Sequence, residues 1–369
     1  MGPTTAFCPN RDCPARGQAG KGNLGVPSRQ DERWRCRVCG KTFAAPHGTA
    51  FYRLRTPVEV MTPVVTLIAH GCPRPAIVAA FGFDERTVAD WLVRAGRQSR
   101  AVPEHLVEQP RDLGQVQADE LRLKTQGCLL WMARAVMVST RLWLGGELSP
   151  HRDLSLSRRL VQHVRACALV RPLLLCTDGL CSYVRAARET FRDPLYGGQR
   201  GRPRLRVWPQ LLTAQVVKRY QQRRLVAVER RLVQGTAARV EKALVASQGK
   251  GVINTAYIER LNAPFRERLA ALTRRGRALT RKPLTLEGGM YRSGAVYHFC
   301  TAPESLHVAA RVSQPAVPRT PAMAARMTDH CGSLQELLSF HGPPPRWTPP
   351  KRRGRRSRAL QLIILQWCS

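Results

Sequence analysis

The chain has 369 residues, with 60 Lys and Arg against 25 Asp and Glu, and a formal net charge of +35 at pH 7. Such a basic excess, rich in Arg, implies a polyanionic partner, nucleic acid before others, because Arg makes forked contacts with phosphates. A genome favouring Arg codons would raise Arg, but it would not make acids so few. Hydrophobic residues make up 43%, enough for a core, yet no apolar run reaches the ~18 residues of a membrane helix. The first residues lack the charged start and apolar stretch of a signal peptide. A cytoplasmic protein without membrane partners is expected, and the length suggests two to three domains.

Twelve cysteines are present, and four come as two close pairs. Cys8 and Cys13 lie in CPNRDC, and Cys36 and Cys39 in CRVC, with 22 residues between the pairs. Each pair forms a knuckle that can direct two sulfurs at one ion. The spacing suits a small ribbon over residues 1–50 that closes a four-cysteine site for one structural Zn²⁺. So short a domain has little core of its own, so metal would supply much of its stability. His47 is a weaker candidate ligand.

Residues 57–100 predict a helical, helix-turn-helix domain. Ile77, Val78 and Phe81 have helical spacing, Gly82 breaks the helix, and Asp84 suits the cap of the next. Val88, Trp91 and Leu92 give that second helix a buried face. Its other face offers Glu85, Arg86, Thr87, Asp90 and Arg94, where a recognition helix meets DNA. An ordinary helical hairpin is the simpler alternative, and the basic chain and the preceding ribbon favour DNA.

After a connector bearing Pro103 and Pro110, residues 114–300 alternate strand-like and helix-like runs. QVQADELRLK predicts a strand carrying Asp119. LLWMARAVMV and RLWLGGEL predict two more strands, joined by a short turn near Ser139 and Thr140. Residues 153–168 predict a helix, and RPLLLCTDG a buried strand stopping at Asp178. SYVRAARETF reads as a helix, later strands fall near Gln215 to Lys218 and Arg223 to Leu232, and a helix carries Glu259. Three antiparallel strands, a helix and a parallel strand match an α/β, ribonuclease-H-like mixed sheet with flanking helices. The first and fourth strands are neighbours in such a sheet, so Asp119 and Asp178 converge, and a packed helix adds a third carboxylate. Three acids suffice for two Mg²⁺ ions about 3.5–4 Å apart, the arrangement that cuts phosphodiesters. Glu120 competes with Asp119, although it must point to the opposite strand face. Glu229, Glu267 and Glu287 compete with Glu259.

CPNRDC…CRVCGKTF, FGFDERTVADWL, QADE, CTDG…SYV and INTAYIERLNAPFRERL together resemble bacterial insertion-sequence DDE transposases of the IS-one-like group. The resemblance runs in the family's order over roughly residues 6–347. It implies that Asp119, Asp178 and Glu259 are the catalytic, Mg²⁺-binding acids. It implies that Asn262 and Arg266, sharing a helix face with Glu259, contact DNA near the scissile phosphate. It further implies that the zinc ribbon and the helix-turn-helix, with Arg86, Thr87 and Arg94, bind the element's terminal inverted repeats. A bacterial, nucleoid-associated homo-oligomer acting on repeat and target DNA follows from the same resemblance.

The chain departs from the family's pattern at Arg122, at His298 and at Pro264. A proline inside a helix costs about 3 kcal/mol, so Pro264 either kinks the Glu259 helix or lets Asn262 cap a new one. Residues 301–350 form a Pro-rich extension, and residues 351–369 resemble nothing in the family and are expected to be a disordered basic tail. A copy that binds DNA without catalysis is therefore an alternative to an active transposase. A zinc-ribbon protein of the transcription or RNA machinery would leave the acids without a use.

Overall fold

The structure, a computed structural model, describes residues 6–28, 30, 32–196, 201–272, 283–308, 316–350 and 354–368. The chain divides into two compact units, residues 1–58 with 338–369, and residues 59–337.

In the first unit, β1 (Leu24–Ser28), β2 (Arg33–Cys36) and β3 (Thr42–Ala44) form an antiparallel sheet in that order. Leu24 and Trp34 pack with the buried cysteines around a very small core. The C-terminal end of the chain enlarges it. Residues Arg358–Trp367 are helical, capped by the Ser357 hydroxyl, and Trp367 and Ile363 join the same core. The Gln18 amide donates to the Trp367 carbonyl at 2.6 Å. Here the structure corrects the expectation of a disordered tail. Leu360, Ile363, Ile364 and Trp367 recur at helical spacing, a signal hidden behind the preceding basic run. Residues 351–353 of that run lie outside the described residues.

The second unit opens with α1 (Val58–Ala69), α2 (Arg74–Phe81) and α3 (Glu85–Leu106). Gly82 ends α2 in the left-handed region, at φ 67°, and Asp84 caps α3 by accepting from the Arg86 and Thr87 amides. The helix α3 runs through Pro103, past the expected end near residue 100, because its second half is packed. Gly96 meets Gly288 so closely that an added Cβ would lie 2.9 Å from the Gly288 Cα.

The rest of the unit comprises β4 (Gln115–Lys124), β5 (Leu129–Met137), β6 (Trp143–Ser149), α4 (Leu154–Cys167), β7 (Leu173–Asp178) and α5 (Cys181–Thr190). Then follow a small hairpin of β8 (Arg192–Leu195) and β9 (Arg204–Val207), the long pair β10 (Leu211–Gln221) and β11 (Arg224–Gln234), and α6 (Ala237–Gln248), α7 (Ala256–Arg268) and α8 (Pro283–Phe299). Six strands form a mixed sheet in the order β11-β10-β7-β4-β5-β6. As expected, β4, β5 and β6 are antiparallel neighbours and β7 lies parallel beside β4. The order is consistent with a ribonuclease-H-like fold.

Side-chain alternation along β4 assigns its two faces. Val116 and Ala118 pack with Leu160 and Val164 of α4 and Tyr183 of α5. Leu121 and Leu123 face the other way, with Phe265 of α7 and Met290 of α8. Asp119 shares that second face. On β7, Leu174 and Cys176 meet Val240 and Leu244 of α6.

An ion triad pins α4 to the sheet edge. His163 faces Glu108 through Nδ1 and Glu147 of β6 through Nε2, both at 2.9 Å. Hydrogen bonds to Glu108 and Glu147 raise its pKa from 6.5 to about 9. A raised histidine contributes stability that is complete below its unfolded pKa and is lost as pH rises through its folded one. The margin by which wild type exceeds His163→Gln in urea unfolding should therefore be roughly 3 kcal/mol near pH 6. It should shrink through pH 9; a constant margin would contradict the charged triad.

Candidate active site and cysteine cluster

The pairing of β4 with β7 brings two acids together. Ala118 lies opposite Thr177 in the parallel ladder, so Asp119 and Asp178 follow side by side. One carboxylate oxygen from each of Asp119, Asp178 and Glu120 lies within 4.8 Å of the other two. Glu259 sits in the first turn of α7. Asp119, Asp178 and Glu259, with Asn262 and Arg266, line one open cleft of about 690 Å³.

Gln117 fixes α7 on β4. Its Oε1 accepts from the Tyr257 and Ile258 amides at 2.9 and 3.0 Å, and its Nε2 donates to the Asn254 carbonyl at 2.8 Å. The free amides at a helix start need such acceptors. A strand glutamine thus sets where Glu259 stands relative to Asp119. Asn262, three residues on, donates to Asp119 Oδ2 at 3.3 Å. One continuous helix carries both, with Pro264 inside it. Of the two alternatives raised by Pro264, a new cap at Asn262 does not form, and Glu259 remains in the helix.

Cations pair with Asp178, Glu120 and Glu259, and Asp119 accepts from the Asn262 amide. Arg152, in the loop before α4, donates to Asp178 Oδ2 at 2.7 Å and to Glu120 Oε2 at 3.0 Å. Lys218 of β10 and the Thr255 hydroxyl donate to Glu259 Oε1 at 2.5 and 2.7 Å. Arg134, fully buried and opposite Asp119 in the β4–β5 ladder, donates to Asn262 Oδ1. Burial lowers the Arg134 pKa to about 10, partly offset by Asp119. Burial also pushes the Asp119 carboxyl up, against the pull of Arg134 and Asn262. Glu120 is raised by burial and then by the Asp178 charge. Ionised acids this close and this dry are costly unless a cation meets them. Hard divalent ions take such oxygen ligands, and the cleft gives them access.

Glu120 and Glu259 differ as third ligands. The Glu120 side chain is 1% exposed and tied to Arg152. That of Glu259 is 45% exposed and faces the cleft, although among the described residues it is not within 4.8 Å of both Asp119 and Asp178. The other rivals lie elsewhere. Glu229 pairs with Arg219 and Arg231, Glu287 pairs with Arg100, and Glu267 is exposed. Arg122 is exposed on β4, and His298 is buried beside Trp143, where burial lowers its pKa to about 3. Sequence reasoning missed Gln117, Arg134, Arg152 and Lys218. Only the strand register, with Arg134 opposite Asp119, could have pointed to one of them.

The four predicted cysteines converge in the first unit. All four sulfurs lie within 4.8 Å of one another, with Cys8 and Cys39 at 3.7 Å and Cys13 and Cys36 at 3.8 Å. Sulfurs placed tetrahedrally at ~2.3 Å from a zinc ion stand ~3.8 Å apart. The donor set and spacing therefore fit one zinc ion. Burial and the neighbouring sulfurs push the Cys8 and Cys13 thiols up, Cys13 to about 12, so thiolates here need a cation. His47 instead packs on Tyr52, with ring centroids 4.6 Å apart.

On α3, Arg86 is exposed and Thr87 is half-buried, while Arg94 is half-buried and pairs with Asp90 at 2.7 Å. Glu85 pairs with Arg74 of α2.

No family model and no curated protein matches the chain. Among solved structures, a chain from the cryo-electron-microscopy structure of the simian T-cell lymphotropic virus intasome in complex with PP2A regulatory subunit B56 gamma is similar. Identity is 11%, 80% of each chain is covered, and the TM-score is 0.29. A likeness at that level carries no argument about activity. Among the described residues no helix is long and apolar enough to cross a membrane.

Proposed function

We propose that the chain is a transposase that cuts and joins DNA with Asp119, Asp178 and Glu259 as the metal-binding acids. The observation that carries this reading is the shared cleft, with an acid from each of two paired strands and one from a packed helix. Two bound Mg²⁺ ions would supply Lewis-acid stabilisation and an activated oxygen nucleophile. The chain's own residues do the positioning. Asp119 and Asp178 offer adjacent carboxylates, and Gln117 and Thr255 fix Glu259 on the wall of the same cleft. Asn262 and Arg266 lie one and two turns along α7 and line the cleft, where Arg266 would meet a phosphate. Glu259 is favoured over Glu120 because it is open to the cleft.

In the same reading, the cysteine ribbon with zinc and α3 with Arg86, Thr87 and Arg94 hold DNA ends, and copies of the chain pair those ends. The net charge of +35 suits a phosphate-rich partner. Incubation of the purified chain with supercoiled plasmid and Mg²⁺ tests the proposal. Nicked plasmid should appear with Mg²⁺ and not with Ca²⁺, and affinity should fall steeply with salt as counterions are released. Binding without nicking would leave a DNA-binding copy; a flat salt response would overturn DNA as the partner.

A further inference from the structure

The β10–β11 pair reaches beyond the sheet as an exposed arm at the mouth of the cleft. Its inner end is buried, from Leu211 to Val216, whereas Arg219 to Gln221 and Arg224 to Val228 are exposed. Lys218 and Tyr220 line the acidic cleft, so the arm continues the site outward. Tyr220 is 62% exposed and sits opposite Leu225, which is 51% exposed. Arg223 and Arg224 follow at the tip, and neither makes an ion pair among the described residues.

The turn itself is unusual. Gln221 pairs with Arg224, leaving a two-residue loop. Its residues, Gln222 at φ 46° and Arg223 at φ 65°, are both left-handed. Asn-Gly adopts such a loop with less strain than Gln-Arg does. The sequence keeps two long polar side chains where the backbone would favour small ones.

We infer that this arm grips an unpaired DNA strand at the cleft mouth, with Tyr220 stacking on a base and Arg223 and Arg224 holding its phosphates. The inference rests on the cleft being a DNA-processing site, as proposed above. An exposed aromatic ring among cations is the platform single strands use, since every base has a stacking face. A second copy adding a strand to the β11 edge fits less well. The extra residue Val226 breaks the ladder there, and the arginines of two copies would meet.

Fluorescence anisotropy with the full chain, in Ca²⁺ to prevent cleavage, tests the arm. The probes are a labelled duplex with unpaired dT arms and a flush duplex of equal length. Wild type should prefer the fork. Tyr220→Ala should lose roughly tenfold on the fork and little on the flush duplex, while Tyr220→Phe keeps the preference. The double variant Gln222→Asn, Arg223→Gly eases the turn and should still weaken fork binding, with its salt slope falling by about one. No fork preference, equal losses on both probes, or an unaffected double variant would overturn the arm. Nicking by wild type in Mg²⁺ would then still support the cleft reading. Conversely, nicking by Asp178→Asn with the fork preference intact would sink the cleft reading alone.

Discussion

Asp178→Asn should abolish Mg²⁺-dependent nicking while leaving DNA affinity unchanged. Asp178 ends β7 beside Asp119, and its Oδ1 also accepts from the Leu180 amide at 3.0 Å, which fixes the carboxylate over the cleft. An amide can keep that bond but offers neither the charge nor both oxygens to a metal. Loss of several kcal/mol of transition-state stabilisation corresponds to a rate at least ~10³-fold lower. Glu259→Gln should behave alike, because Glu259 is the acid open to the cleft. Glu120→Gln should retain nicking, since the buried Glu120 serves to hold Arg152. If Glu120→Gln abolished nicking and Glu259→Gln did not, the third ligand would be the strand acid. The measurement is plasmid nicking alongside anisotropy for each variant.

Removal of zinc should unfold the first unit and spare the second. The ribbon buries few apolar side chains, even with Trp367 and Ile363 added. Structural zinc binding in small domains is worth on the order of 10 kcal/mol, more than so small a core supplies. Cys36→Ser, or a strong chelator, should therefore expose Trp34 and Trp367, both buried here. Proteolysis should then cut within residues 6–58 and 338–368 and leave residues 59–337 intact. The metal content should be one zinc per chain. A protease pattern unchanged by chelation would contradict a zinc-dependent ribbon.

Much of the frame was legible because periodicity reports it directly. The strand–helix order from Gln115 to Asp178 followed from alternation and apolar runs, and the cysteine pairs announced their own convergence. What stayed hidden depended on register and distance along the chain. Nothing local marks Gln117 as the cap of a helix 139 residues later, which begins at Ala256. Nor does Arg152 signal that it will bridge Glu120 and Asp178. Pro264 suggested a broken helix, yet packing of Ile258, Leu261 and Phe265 keeps α7 continuous around it. In the tail, four apolar residues at helical spacing stand behind a basic run whose composition favours disorder. For α7, tertiary burial overrode the local signal of the proline.

The claim on which the rest depends is that Asp119, Asp178 and Glu259 hold metal in one cleft. Fe²⁺, loaded into the full chain in place of Mg²⁺ and treated with ascorbate and peroxide, cuts the backbone beside its own site. Cuts beside Asp119, Asp178 and Glu259 together are expected, suppressed by excess Mg²⁺ and absent in Asp178→Asn. Cuts confined to other segments, or cuts beside Asp119 and Asp178 without any near Glu259, would contradict it.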